Sequence, residues 1–239
     1  MTDHQRTPES GRLGARALLR ASPLFRDLPR DTLEHIVELG YTRHMQAGEV
    51  LYLQGDPGDG LYLILTGAVR ISALGPEGQA LHLNTLSAGD VMGEIALLDG
   101  GSRSATATAT EAGALFCIDR ADFLGLVARQ PDVTWQILLL LCQRVRWTSS
   151  LLEDSAFLSA EGRLAKRLLA IAGATGISGS LARGQELRIS QSDLAGYLNL
   201  TRQFVNRMLQ DLQKAGVVEI GRGRLFIMDP DRLLKLSTQ

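Results

Sequence analysis

The spacing of apolar residues changes period along the chain, and each change marks an element. Residues up to about Arg16 are polar and mixed, so a loose tail is expected there. Ala17–Leu19 leads through SPLFRDLP into Arg30–Leu39, where Leu33, Ile36, Val37 and Leu39 recur at helical spacing. From Tyr41 to Asp119 the pattern shortens to alternating runs such as VLYLQGDPGDGLYLILTGAVRIS, ALHLNTLSAGDVMGE and ATATATEAGALFCID. Turns fall at Gly55–Gly60, Gly75–Gly78, Ala88–Asp90 and Asp99–Gly101. Short strands with turns this frequent predict an antiparallel barrel or jelly roll. Pro131 suits the first turn of a long helix, because its missing N–H is not needed there, and that helix should run to about Asp154. Helical spacing resumes at Gly162–Ala172, Gly173–Gly184 reads as a loop, and Ser190–Leu198, Thr201–Lys214 and a hairpin over Val217–Ile227 complete the chain. Two helices joined tightly at Asn199–Leu200 and followed by two short strands predict a winged helix-turn-helix. The expected fold is therefore α+β: a tail at 1–16, a β-roll (jelly roll) domain at 17–130, a dimerisation helix at 131–155 and a winged helix-turn-helix at 156–239.

The long helix is apolar on two faces and needs two partners. Thr134, Leu138, Leu141, Val145, Thr148 and Leu152 alternate at steps of four and three, which is a coiled-coil seam and predicts a homodimer. A second line through Trp135, Leu139 and Cys142 is expected to pack on the roll.

At 239 residues the chain can hold two ordinary domains. Its net charge of −1 is uninformative, but the distribution is not: from Ala156 onward the balance is +5, and before it −6. That asymmetry directs nucleic acid to the second half alone. Cys117 and Cys142 lie in apolar surroundings with no CxxC pair, so both are expected to be buried thiols, with no disulfide framework and no metal site. MTDHQRTPESGR lacks the apolar core of a signal peptide, and the run Ile137–Cys142 is too short to cross a bilayer. A soluble cytoplasmic protein without membrane contact is expected.

Residues Gly93 to Ala105, GEIALLDGGSRSA, place one acid and one base in a glycine-rich segment read as a hairpin. A cyclic nucleotide has two handles that match them. Its ribose 2′-hydroxyl can donate to a carboxylate such as Glu94, and its singly charged ring phosphate suits the guanidinium of Arg103. Ser104 adds a hydroxyl, and the small residues admit backbone N–H groups. Near the C-terminus, Ser190 and Asp193 form a capping-box-like pair, and Thr201 can cap the next helix. Leu194, Leu198, Val205, Met208, Leu209 and Leu212 have core spacing, which leaves Arg202, Gln203, Asn206 and Arg207 outward. Arginine suits the guanine edge in the major groove, and glutamine or asparagine suits adenine. Arg188, Lys214, Arg222 and Arg224 can reach phosphates.

In combination these segments resemble the Crp/Fnr family of bacterial transcription regulators: GEIALLDGGSRSA the family's phosphate-binding cassette, and TRQFVNRMLQDLQK its recognition helix. The resemblance spans nearly the whole chain after the tail. It implies a sequence-specific DNA-binding regulator, most simply a cAMP-activated homodimer on a pseudo-palindromic double-stranded site, with RNA polymerase as a further partner. It also implies that Gly93, Ile95 and Ala105 belong to the ligand cassette with Glu94, Arg103 and Ser104, and that Ile71, Leu83 and Met92 line the pocket. Thr148 and Ser149, within WTSS, occupy the places where cAMP-responsive members hold the purine from their own and the partner subunit, and Arg144 matches a position near the nucleotide. The same architecture answering to cGMP is the alternative, with a cyclic dinucleotide or a non-nucleotide signal behind it. Gln203 departs from the family's common glutamate, so the usual half-site is not carried over. No cysteine precedes Cys117, against an iron–sulfur sensor, and His82 alone in a strand is a weak haem ligand. None of the Ser, Cys or four His residues lies in a catalytic motif, so no enzyme activity is expected.

Overall fold

Strand β3, Gly60–Thr66, is buried along nearly its whole length, and its two-residue period decides what each face meets. Leu61, Leu63 and Leu65 join one hydrophobic cluster, while Tyr62 and Ile64 join another. Strand β8, Gly113–Asp119, divides the same way, with Phe116 and Ile118 in the first cluster and Leu115 and Cys117 in the second. This two-faced pair is the middle of a roll.

The computed structural model describes residues 16–20, 22, 24–75, 80–174, 183–187, 189–221 and 224–239. The chain divides into two compact units, Met1–Arg144 and Val145–Gln239. In the first, one antiparallel sheet has the order β1 (Tyr41–Met45), β8, β3, β6 (Val91–Met92). The other has the order β2 (Val50–Tyr52), β7 (Thr106–Ala109), β4 (Ala68–Leu74), β5 (Ala80–Ser87). The second cluster fills the space between these sheets. The first is covered by Leu19, Leu24, Phe25 and Leu28, by helix α1 (Arg30–Leu39) through Leu33, Ile36 and Val37, and by two later helices.

The second unit gathers Leu164, Leu168, Leu194, Val205, Leu209, Leu225 and Leu233 into one core. Its sheet runs β10 (Val218–Gly221), β11 (Arg224–Ile227), β9 (Gln185–Leu187).

Several expectations need correction. The cassette is not a hairpin. After Gly93 it forms a short helix, α2 (Glu94–Asp99), because Ala96 and Leu97 are buried on one side and left-handed glycines bracket the turn. Helix α3 (Arg120–Arg129) lies between the last strand and the long helix, where no element was expected, and buries Phe123 and Leu126. The long helix, α4, spans Pro131–Phe157. Its line toward the first-unit core is Val133, Ile137, Leu140 and Leu141, not Trp135, Leu139 and Cys142. Trp135 is 60% exposed and Cys142 is exposed too, so only Cys117 is a buried thiol. Of the expected seam, Leu141 packs inward and the Thr134 hydroxyl donates to Val127 O at 2.9 Å. Residue 16, placed in the tail, is already helical. Helix α5 (Ala160–Ala174) runs into the segment read as a loop. The wing has a third strand, β9, and helix α8 (Pro230–Leu236) follows it, capped by Asp229. The tail at 1–15 and most of the turn after Gly75 lie outside the described residues.

Candidate functional site

Arg103 is 2% exposed, and the surrounding chain is shaped to hold it. Its Nη1 donates to Gly93 O at 3.0 Å, and its Nη2 donates to Gly60 O at 3.0 Å and to Asp59 Oδ1 at 2.5 Å. The guanidinium carbon lies 4.4 Å from the Tyr52 ring centre and 5.2 Å from that of Tyr62, within cation–π range. Nε is buried and has no hydrogen-bond partner. A buried donor left open is costly, and a guanidinium whose Nε–H and second Nη1–H are both unused is poised for an acceptor that arrives later.

The backbone is arranged around that side chain. Gly93 has φ +87°, and a Cβ there would stand 2.3 Å from Arg103 Nη1. Glycine is required on both counts. At Gly58 a Cβ would stand 2.7 Å from the Ala96 carbonyl, so the 55–60 loop approaches α2 closely. Arg103 N donates to Asp56 O at 2.7 Å and Gly55 N to Arg103 O at 2.9 Å, pairing that loop with the arginine's own segment. Arg120 Nε donates to Leu97 O at 2.9 Å and closes the far end of α2.

Glu94, the first residue of α2, is 6% exposed. Its Oε1 accepts from Arg144 Nε at 3.0 Å, and Arg144 Nη2 donates to Val91 O at 2.8 Å. The acid and base read from GEIALLDGGSRSA are therefore both buried. Burial pushes the Tyr52 and Tyr62 hydroxyls well above their ordinary range. Asp59 goes the other way: burial alone would raise its carboxyl, but the Tyr62 hydroxyl bond and the Arg103 guanidinium outweigh that and hold it below the usual carboxylate range.

The other expected pocket residues are placed unevenly. Met92 and Ala105 are buried, Ile71, Leu83 and Gly93 half-buried, Ile95 and Ser104 exposed. Thr148 and Ser149 lie exposed on α4, in the second unit. His82 is buried, with Nε2 3.0 Å from both Asn84 O and Thr85 Oγ1, which marks it as a satisfied strand residue.

In the second unit, Ser190 Oγ accepts from Asp193 N at 3.0 Å at the start of α6 (Gln191–Leu198), and Thr201 Oγ1 accepts from Phe204 N at 3.3 Å at the start of α7 (Arg202–Lys214). Asn199, at φ 51°, turns the chain between them, and Leu200 N donates to Ala195 O at 3.0 Å. Val205, Leu209 and Leu212 are buried, so Arg202, Gln203 and Arg207 are exposed, with Asn206 half-buried beside them. Arg207 stacks 4.8 Å over Phe204. Lys214 pairs with Asp211 and Arg224 with Glu186 at the surface. Arg188 and Arg222 lie outside the described residues.

Comparison with known proteins agrees with this arrangement. The family profile described as "Cyclic nucleotide-binding domain" matches residues 42–130, and that described as "Crp-like helix-turn-helix domain" matches 162–236. The chain is 32% identical over 219 residues to the Cyclic AMP receptor protein of Thermus thermophilus, covering 92% of this chain and 98% of that one. The chain belongs to the Crp/Fnr family of transcription regulators. Another Crp/Fnr relative, the CRP-like cAMP-activated global transcriptional regulator of Mycobacterium tuberculosis, is 30% identical over 188 residues, 79% of this chain and 84% of that one. The solved structure of the c-di-GMP responsive global regulator CLP from Xanthomonas campestris shares the fold, with a TM-score of 0.75 at 22% identity over 84% of this chain and 99% of that one. This Crp/Fnr member is thus a DNA-binding transcription regulator with a cyclic nucleotide-binding domain and a helix-turn-helix. Among its described helices none is long and apolar enough to cross a membrane.

Sequence reasoning missed Asp59, Tyr52, Tyr62 and Arg120. Tyr62 shares the face of Ile64 in the folded strand, and nothing local signals that Tyr52 on the other sheet faces the same guanidinium.

Proposed function

We propose that this chain is a cAMP-activated homodimeric regulator of the cytoplasm, which binds a pseudo-palindromic DNA site only when its pocket is filled. The observation that carries this reading is the buried Arg103, whose Nε lacks a partner, together with the buried carboxylate of Glu94. A ring phosphate takes the open Nε edge of Arg103, assisted by Ser104 and backbone N–H groups of the cassette. Glu94 Oε1 is engaged by Arg144, so the ribose hydroxyl donates to Oε2. Ile71, Leu83 and Met92 supply apolar surface to the nucleoside, and Gly93, Ile95 and Ala105 complete the cassette. Thr148 and the partner subunit's Ser149 hold the purine. The names of the relatives from Thermus thermophilus and Mycobacterium tuberculosis support cAMP.

The dimer is supported by the exposed face of α4. Trp135, Leu138, Cys142, Val145, Ser149 and Leu152 follow steps of three and four, the spacing of a two-stranded seam that keeps Leu138, Val145 and Leu152 from the one read in the sequence and moves its other three positions by one. A ligand held by both subunits shifts the dimer between arrangements by its differential affinity alone. Moving from 1:99 to 99:1 takes roughly 5.5 kcal/mol, and charge-assisted bonds of about 1.5–3 kcal/mol each suffice. The two recognition helices then enter successive major grooves, with Arg202, Gln203, Asn206 and Arg207 reading bases. Arg188, Lys214, Arg222 and Arg224 contact phosphates, and RNA polymerase is recruited by the bound dimer.

The hydroxyls of Thr148 and Ser149 both donate and accept, so cGMP is the second reading. Calorimetric titration with cAMP, cGMP and a cyclic dinucleotide, coupled to footprinting with and without each, tests the proposal. Binding of cAMP that switches on protection of a two-fold site is the expected result. Binding of neither monocyclic nucleotide overturns it.

A further inference from the structure

Asp59 has no part in the reading above, yet it is held in place on Arg103. Its Oδ1 accepts from Arg103 Nη2 at 2.5 Å and from the Tyr62 hydroxyl at 2.8 Å, while its backbone carbonyl accepts from Arg120 N at 2.9 Å. Side chain and backbone are both fixed although the carboxylate side chain is 73% exposed, so the charge stands at the mouth of a site whose guanidinium is buried. The charges close on themselves before any ligand arrives: Arg103 with Asp59, and Arg144 with Glu94.

A ring-closed phosphodiester adds one negative charge to that neutral set. An open mononucleotide adds more, because a phosphomonoester carries about −1.5 to −2 at pH 7. We infer that Asp59 is a specificity-determining residue that rejects phosphomonoesters such as 5′-AMP while admitting singly charged phosphodiesters. The inference rests on the cyclic-nucleotide reading of the pocket and adds to it the ligand class that is turned away. The physical basis is geometric. With Asp59 on the Nη2 side of the guanidinium and Nε open, an incoming phosphate shares the cation with the carboxylate at short range. A monoanion there leaves the cation balanced by two anions, whereas a dianion adds direct repulsion from a carboxylate that cannot withdraw without losing Tyr62. The extra charge, about half a unit or more, lying about 6 Å from the carboxylate, is worth about tenfold in binding at the effective dielectric of a protein surface.

The test compares 5′-AMP with its methyl ester, adenosine 5′-(methyl phosphate), an open nucleotide whose phosphate carries one charge. Both are titrated calorimetrically into the wild-type protein and into Asp59→Asn, with cAMP as reference. In the wild type the methyl ester should bind about tenfold more tightly than 5′-AMP. In Asp59→Asn the gap should close to within about threefold, and in Asp59→Glu it should persist. The added methyl group is common to both proteins and cancels. Asp59→Ser serves the same purpose should the asparagine variant fail to fold. An equal gap in wild type and variant, with cAMP still bound, overturns the charge filter alone. A wild-type protein that binds no cAMP overturns the filter and the effector reading together.

Discussion

Replacing Arg103 by alanine tests the pocket most directly, because that one side chain organises both the free site and the proposed complex. In the free protein it supplies Gly93 O, Gly60 O and Asp59 Oδ1 with donors. Truncation leaves the Gly60 carbonyl short of a partner, at about 1–3 kcal/mol where water does not reach it, while Gly93 O keeps the Leu97 N–H at 3.3 Å. The variant should still fold, with its thermal midpoint lowered by several degrees. The ligand loses more. Two charge-assisted bonds to the phosphate at about 1.5–3 kcal/mol each amount to roughly 3–6 kcal/mol, or about 10²–10⁴-fold in Kd. Isothermal calorimetry with cAMP measures this, and circular dichroism on the same sample verifies that the protein is folded. Arg103→Lys should recover only part of the loss, since an ammonium keeps the charge but not the planar fork that reaches Gly93, Gly60 and an incoming phosphate at once. A folded Arg103→Ala protein whose affinity for cAMP stays within about threefold of wild type would refute the assignment.

Gly93→Ala should destabilise the first unit by about 1–3 kcal/mol, because the new Cβ meets Arg103 in a left-handed conformation; chemical denaturation reads the loss, and cAMP affinity should fall with it. Arg202→Ala should cost about 1–3 kcal/mol at the cognate site and little elsewhere, whereas Arg224→Ala should weaken all sequences and reduce the salt slope by about one. Competition footprinting and salt titrations separate the two. Val145 and Leu152 are 65% and 71% exposed on α4, so Val145→Asp with Leu152→Asp should shift sedimentation from dimer to monomer without unfolding either unit. In native protein the Cys117 thiol should not react with a thiol reagent at pH 8, because burial pushes it up to about 12 and keeps it protonated; it should react once the chain is denatured.

Much of the second unit was legible in the chain. Ser190, Asp193, Thr201 and the Leu194–Leu212 spacing act over three or four residues, and the caps and buried positions appear where those signals put them. Helix α8 carries an equally local signal in Asp229 followed by Pro230, as does α3, where Phe123, Leu126 and Val127 keep helical spacing. In the roll, short alternating runs between glycine turns signalled strands, but which side chains meet which cluster came from the packing. The pattern did not reveal that α2 replaces a hairpin, since a run of four consecutive apolar residues within six positions is too short to set a period. The inward face of α4 was misassigned for a related reason. With apolar residues all round Ile137–Cys142, periodicity offers several stripes, and only contact with the first-unit core selects Val133, Ile137, Leu140 and Leu141.

Local order in this protein follows from residue type, because capping, turn preference and side-chain period are settled within one helical turn or one pair of strand positions. That was enough to infer an acid and a guanidinium in a cassette and a polar recognition helix held by its caps. Which charge meets which was settled by folding. Asp59 reaches Arg103 across 44 residues and Arg144 reaches Glu94 across 50. Such pairs exist because closure of the roll and docking of the long helix's first turns bring distant segments within hydrogen-bonding range. Burial then makes each unmet donor or acceptor costly, so the pocket's partners depend on three-dimensional packing that no short stretch of chain encodes.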